Sequence, residues 1–231
     1  MVYEFSRSRS REVAINRFKD YSGYVQADAY PGYDAVFDDP KIIECACLVH
    51  ARRKFVEVAE LMKEPGRPHE AIAFIKQIYR IERRIRHLSD EERCQERQRH
   101  AVPVLKQFKA WLDQQANAVL PKSGLGLAVS YALKNWAALC RYAEQGYLEP
   151  DNNFSEQHMR NVAIGRKAFL FVGSDRAGKA AAIYFSLMES CKANKVNPLT
   201  YMTYLLTNVR NKKHTLLMPH EFQTSDGRQI G

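Results

Sequence analysis

The sequence predicts an α/β fold that carries a large all-helical insertion and a helical C-terminal part. Two apolar runs, Tyr24 to Ala29 and Ile42 to Val49, read as strands, and the first is stopped by Tyr30-Pro31-Gly32. Between Glu64 and Leu139 the apolar residues instead recur at steps of three and four, the spacing of one helix face.

Val2 to Phe5 reads as a short extended run, and Arg9 to Asp20, with Val13 and Phe18 on a polar background, as a short helix. Asp28 then falls at the C-terminal end of a buried strand, where α/β sheets usually place their ligands. After the second strand, His50-Ala-Arg-Arg-Lys-Phe55 opens a helix expected to run to about Met62. Glu64-Pro-Gly-Arg-Pro68 breaks the chain. Beyond it, Ile78, Ile81, Ile85 and Leu88 form one stripe, Val102, Leu105, Phe108 and Leu112 a second, and Leu125, Val129, Ala132, Trp136 and Leu139 a third. These stripes are core packing. At Pro150 the chain turns, and Asp151 or Asn152 can cap the helix that holds Glu156. Phe169-Leu-Phe-Val172 is a short apolar run, a helix follows from Gly178, and a last one starts at Asn197-Pro198 with Leu205 and Val209 on its buried side. The organisation expected is a core part at 1–62, the insertion at 63–148, completion of the core at 149–213 and a loose polar tail at 214–231.

The chain of 231 residues is 45% hydrophobic and can bury a substantial core. No segment reaches the roughly 18–20 apolar residues needed to span a bilayer, and the N-terminus lacks the apolar centre of a signal peptide. A membrane role is therefore not expected. Five scattered cysteines suggest no disulfide framework, which fits a reducing cytoplasm. The net charge is +9, and it is unevenly spread. From Arg160 to Lys213 there are ten Lys or Arg against Asp175 and Glu189 alone. Such an excess attracts phosphate backbones, although a solvated helix face with spare lysines gives the same count.

Asp28 and Glu156 are the chemically suggestive pair. Phosphoryl transfer by two metal ions needs hard oxygen ligands brought together from distant parts of a chain. A carboxylate ending a strand and another at a helix start can converge in that way. Each also has a plainer reading: Asp28 as the residue that starts a turn, Glu156 as a first-turn acid favoured by the helix dipole and sharing a face with Arg160. Cys45, Cys47 and His50 form C-x-C-x2-H, but zinc sites want a second spaced pair, and Cys94 stands alone on a charged helix. Arg52, Arg53 and Lys54 either line a phosphate path or are ordinary helix surface. Gly165-Arg166-Lys167 lacks the ending of a phosphate-binding loop, so Arg166 and Lys167, just after the Glu156 helix, read as DNA-backbone contacts.

Six segments in one order then carry a resemblance: Gln26-Ala-Asp-Ala-Tyr-Pro-Gly-Tyr33, Cys47-Leu-Val-His-Ala-Arg-Arg-Lys-Phe55, Asp151-Asn-Asn-Phe-Ser-Glu156, Ile164-Gly-Arg-Lys167, Leu170-Phe-Val-Gly-Ser174 and Ser186-Leu-Met. The chain resembles the catalytic region of the IS66 family of insertion-sequence transposases from about Val2 to Val209. The resemblance implies a partial ribonuclease H-like core and an Asp-Asp-Glu triad holding two Mg²⁺ or Mn²⁺ ions. Asp28 would be its second acid and Glu156 its third. It implies double-stranded DNA as partner, both element ends and target, and a place at the bacterial nucleoid. Arg160 joins the DNA contacts, and Cys47, His50 and Asn153 are carried over as residues supporting the site. Relatives often have Gly at the position of Ala29 and Asn at that of Ala168. Their first Asp lies upstream of the segment matching Val2 to Phe5, so the resemblance implies a truncated transposase that cannot cut DNA alone. The alternative is a non-catalytic DNA-binding remnant that associates with itself or with an intact transposase.

Overall fold

The computed structural model describes residues 2–8, 10–29, 31–169, 172–210 and 216–222. It is mostly helical with a small parallel sheet, and it divides into two compact units. One comprises Ser10–Phe154, the other Met1–Arg9 with Ser155–Gly231.

In the first unit, α1 (Arg11–Phe18) precedes β1 (Gly23–Ala27), which pairs in parallel with β2 (Ile42–Ala46) from Gly23↔Ile42 to Ala27↔Ala46. A parallel pair needs a crossover, supplied here by a 3₁₀ turn at Pro31–Val36 and the loop after it. Val25, Val36 and Ile42 bury together under Ala14 and Phe18 of α1. Ala29, just past β1, has φ 57°, a left-handed conformation that glycine adopts without the Cβ penalty. The sheet end is thus a forced turn, as its Pro-Gly sequence anticipates.

The second strand is shorter than its apolar run. β2 stops at Ala46, and α2 (Leu48–Ala59) starts two residues before His50 and ends three before Met62. Leu48 and Val49 extend the run in composition. Yet Leu48, Ala51 and Phe55 are the buried residues, and their spacing is helical.

From Arg67 to Cys140 the chain is helical apart from short turns: α3 (Arg67–Ile85), α4 (Asp90–Glu96), α5 (Val102–Ala118), α6 (Gly124–Lys134) and α7 (Trp136–Cys140). Ser89 and Glu92 form a capping box at α4, and the Ser123 hydroxyl accepts the Gly126 N–H at 3.1 Å at the start of α6. Between α4 and α5, Arg97–Ala101 widens into a π-helical turn. Pro103 explains it, because proline cannot donate to the carbonyl four residues back and its ring pushes that carbonyl away. The three apolar stripes read from the sequence all enter the core. Ile78, Ile81, Ile85 and Leu105 pack with Leu139 and Tyr142, while Phe55, Ile75, Phe108, Trp111 and Leu112 pack with Ala128, Val129 and Ala132.

The second unit contains most of α8 (Asn153–Phe169), α9 (Asp175–Ala193) and α10 (Pro198–Asn208). Helix α8 runs on through Phe169, so Arg166 and Lys167 lie in its last turn rather than after it. The lone Gly165 is tolerated at roughly 1 kcal/mol, too little to end a helix that its neighbours favour. Helix α9 starts three residues before Gly178, capped by Ser174. At α10 the Asn197 side chain accepts from the N–H groups of Leu199 and Thr200, as expected for a cap. Val209 is exposed, however, and Tyr201 is the buried residue of this helix.

Val2 to Phe5 joins no strand among the described residues. The Tyr3 N–H instead donates to the Ser186 hydroxyl at 2.8 Å, Arg7 pairs with Asp175, and Phe5 lies against Gly178. The N-terminal run is therefore fastened along α9. Of the tail expected from 214, the described part is 216–222, where Phe222 packs on Tyr201 and Tyr204 of α10. Tyr30, Leu170, Phe171, Lys212 and Lys213, which several sequence readings used, lie outside the described residues.

Candidate active site

The in-register pairing of β1 and β2 places Asp28 and Cys47 in equivalent positions, each one residue past its strand on the same C-terminal edge. Asp28 is exposed and Cys47 is buried. His50 follows one turn into α2 and is half-buried. Burial raises the Cys47 thiol above its ordinary pKa, while backbone N–H groups of Asn152, His50 and Val49 near the sulfur pull the other way. Cys45 belongs to the core, fully enclosed, and burial pushes its thiol up to about 12. All five cysteines are free thiols, and among the described residues no three His, Cys, Asp or Glu side chains are gathered to hold a metal ion.

The turn at 149–153 meets this strand edge from the other side. The Leu48 N–H donates to the Pro150 carbonyl at 2.9 Å, and the Gln26 amide donates to the Glu149 carbonyl at 2.6 Å. One oxygen of Asp151 accepts the Asn153 N–H at 3.0 Å, and the other accepts the Tyr79 hydroxyl at 2.6 Å. Asp151 is thus the residue that supports the start of α8. Asn152 keeps a buried Oδ1 with no hydrogen-bond partner among the described residues. Burial first, and the Asp151 carboxylate second, raise the Tyr79 hydroxyl far above the tyrosine range, so it remains a donor at any working pH. Tyr131 of α6 is raised as well, by burial and then by Cys47, Asp28 and Glu44.

Tyr79 and Tyr131 are absent from the residues that the sequence singles out, and Gln26 figures there only as the first residue of a family segment. Tyr79 sits beside Ile78 in an apolar stripe and meets a partner 72 residues away, so nothing local marks it. Gln26 carries a weak signal, being a polar residue inside an apolar strand.

In the second unit, Glu156 is half-buried, and Arg160, Arg166 and Lys167 are exposed. At about 100° per residue, Glu156 and Arg160 point roughly opposite to His158 and Asn161. That second face meets α9, where the Glu189 carboxylate is only 3% exposed. Glu189 accepts from the Asn161 amide at 3.1 Å and from Lys192 at 2.6 Å, with the His158 Nε2 at 3.7 Å. This polar contact sets the rotation of α8 and turns the Glu156–Arg160 face away from α9. On α2, Arg53 and Lys54 are exposed and Arg52 is half-buried.

Asp28 and Glu156 offer hard carboxylate oxygens. Mg²⁺ commonly takes one or two of these and fills its remaining positions with water and substrate phosphates. The donor chemistry therefore suits such an ion.

Comparison with known proteins gives consistent matches. The family model described as "Transposase IS66 family" matches residues 1–180, and one described as "IS66 C-terminal element" matches 186–219. "Uncharacterized protein y4jD" of Sinorhizobium fredii (strain NBRC 101917 / NGR234) is 33% identical over 220 residues, covering 93% of this chain and 43% of the relative. "Uncharacterized protein y4hP" of the same organism is 28% identical over 247 residues, covering 99% of this chain and 45% of the relative. The chain thus spans less than half the length of these curated relatives. No solved structure matches it.

Proposed function

Because this chain belongs to the IS66 family of transposases, we propose that it contributes to transposition as part of a metal-dependent DNA strand-cleavage and strand-transfer centre, with Asp28 and Glu156 as its second and third acidic residues. The sheet and the helices α2 and α8 would then be part of a ribonuclease H-like core. The observation that carries this reading is the strand edge itself. Asp28 lies one residue past β1, and the turn that opens the Glu156 helix is fastened to the same strand by Gln26. An acid at that edge is where an α/β sheet offers a ligand to solvent.

A divalent ion bound there would supply Lewis-acid stabilisation of the charge developing on the phosphoryl oxygens. The protein's own contribution is to orient. Tyr79 and Asp151 brace the start of α8, and Glu189 holds the His158–Asn161 face of that helix. Cys47, buried at the register position beside Asp28, and His50, half-buried one turn further on, would support that edge, and Asn153 opens the helix. Arg160, Arg166, Lys167 and the α2 cations Arg52, Arg53 and Lys54 would hold duplex DNA by its phosphates, fixing register rather than sequence.

The motifs assign two acids and no first one within residues 1–231. A polypeptide of these residues is therefore expected to bind duplex DNA without cutting it in Mg²⁺ or Mn²⁺. Electron paramagnetic resonance of Mn²⁺ added to the DNA-bound chain should show binding that Asp28→Ala and Glu156→Ala each weaken about tenfold, roughly the loss of one charge-assisted ligand. DNA affinity should stay unchanged in both variants. Mn²⁺ binding indifferent to both substitutions would remove the proposed site. Metal-dependent nicking lost in both variants would keep the site and show that these residues supply a third ligand themselves. The second reading, a DNA-binding protein without its own chemistry, rests on the exposed cations of α8 and predicts DNA binding with no carboxylate-dependent Mn²⁺ site at all.

A further inference from the structure

We propose that the outward face of α3 is a DNA-docking surface, in which Lys76, Arg80, Arg83 and Arg84 track the phosphate backbone of a duplex. This rests on the transposase reading for the identity of the partner, but on α3 alone for the surface.

The four cations are exposed, at steps of four, three and one. At about 100° per residue they occupy an arc of about 100° on the helix. The residues buried from Ile75 to Ile85, namely Ile75, Ile78, Ile81, Glu82 and Ile85, centre on the opposite side. The stripe is therefore held outward by the whole apolar face beneath it. The only acid between Lys76 and His87 is Glu82, and it is buried against Arg97. None of the four cations has a hydrogen bond or ion pair with a described residue. Nearby cations are used differently: Arg93 bonds Glu149, Arg99 bonds Glu96 and Lys109 bonds Asp113.

Two plainer explanations cover only part of this. A helix C-terminus favours positive charge within its last turn, which accounts for Arg83 and Arg84. It does not account for Arg80 and Lys76, which lie one and two turns earlier. A solvated helix normally alternates its charges, since like charges at i,i+4 disfavour it. Here Lys76–Arg80 and Arg80–Arg84 are such pairs, and no acid intervenes on the surface.

The chemistry of the face selects the partner. Protein interfaces have an apolar centre, whereas the exposed positions among these cations hold Ala73 and Gln77 and no large apolar side chain. A phosphate backbone needs only the charges. From Lys76 to Arg84 the helix rises about 12 Å, a length over which a duplex presents roughly seven phosphates. Four cations over that length correspond to roughly one per phosphate of a single strand, spaced about 3.4 Å along the axis. Through Tyr79 the same helix also touches Asp151, so DNA lying on α3 would run beside the turn that opens α8.

The test is a fluorescence-anisotropy titration of the whole chain with a duplex of about 30 base pairs, at salt from about 50 to 200 mM, where such contacts are most visible. A combined variant carrying Lys76→Gln, Arg80→Gln, Arg83→Gln and Arg84→Gln is compared with one carrying Arg80→Lys, Arg83→Lys and Arg84→Lys. The glutamine variant should lose about tenfold or more in affinity, and its log–log salt slope should become shallower by about 3 to 4, near 0.9 per contact. The lysine variant should stay within about twofold, because it keeps the charges. Wild-type affinity and slope in the glutamine variant would overturn the proposal, as would tighter binding of polyglutamate than of duplex, which would mark a protein-docking face. If Arg160→Gln, Arg166→Gln and Lys167→Gln abolish binding while the α3 variant does not, the α3 surface alone is refuted. If the wild-type chain binds no duplex at any salt, the transposase reading falls with it.

Discussion

Replacing Arg97 with methionine is expected to destabilise the first unit by about 3–5 kcal/mol, the usual cost of removing one partner from a buried ion pair. Arg97 is fully buried in the π-helical turn between α4 and α5. Its guanidinium donates to both oxygens of Glu82 at 2.7–3.2 Å and to the carbonyls of Tyr142, Gln145 and Gly146 at 2.9, 2.7 and 3.3 Å. Its Cζ also lies 5.2 Å from the centroid of the Tyr142 ring. Methionine would fill the space but leave three carbonyls without a donor and Glu82 facing only Arg93, at 4.0 Å. With total stabilities of about 5–15 kcal/mol, that is enough to unfold a marginal domain. Both tryptophans, Trp111 and Trp136, belong to this unit, so urea unfolding followed by their fluorescence reports on it alone. Adding Glu82→Leu to Arg97→Met should recover part of the loss, because the orphaned charge goes with its partner. A loss below about 1 kcal/mol for Arg97→Met would show that the buried network is not what joins the α3–α5 helices to the segment leading into α8.

Gly146→Ala should be comparably damaging, at about 3 kcal/mol or more. The residue is buried directly against the backbone of Asp90 at the start of α4, and a Cβ would fall inside the van der Waals shell of the Asp90 carbonyl. No side chain is there to swing aside, so one main chain must move off the other. Arg97 holds the Gly146 carbonyl in the same place, and the two substitutions should therefore be non-additive. Gly124 is the control. A Cβ there would meet only the end of the Val58 side chain at 3.2 Å, so Gly124→Ala should fall within about 1 kcal/mol of wild type in the same unfolding assay.

What the sequence makes legible is local. The apolar run before Asp28 and the Pro-Gly after it are enough to place an acid at a strand end, and β1 stops one residue short of it. Asn197-Pro198 is enough to start a helix, and the three apolar stripes are enough to bury their members. Where the reading slips, two local rules compete. Leu48 and Val49 satisfy a strand by composition and a helix by spacing, and spacing governs because Leu48, Ala51 and Phe55 share one packed face. Arg166 and Lys167, expected just after the Glu156 helix, lie within it, since the one glycine at Gly165 costs less than the surrounding turns contribute. Val209 follows Tyr201 and Leu205 at steps of four but is exposed, because α10 ends at Asn208 and Val209 is only its cap.

The supports of the candidate site are illegible for a different reason. Tyr79 with Asp151, Gln26 with the Glu149 carbonyl, and Arg97 with Glu82 and three carbonyls each join positions well apart in sequence. Tyr79, Glu82 and Arg97 taken alone each look like an ordinary polar or charged position along a helix. Only folding reveals that the helices between the two acids brace the turn from which α8 departs.

The central claim is that Asp28 and Glu156 hold one metal centre, and iron-directed cleavage addresses it most directly. Fe²⁺ replaces Mg²⁺ at the DNA-bound chain, and ascorbate with peroxide then generates hydroxyl radicals that cut the backbone beside the ion's ligands. The account predicts two cuts, one flanking Asp28 and one flanking Glu156, suppressed together by excess Mg²⁺ and lost together in either Asp28→Asn or Glu156→Gln. A cut at one acid that persists when the other is replaced, or cuts at neither, would contradict it.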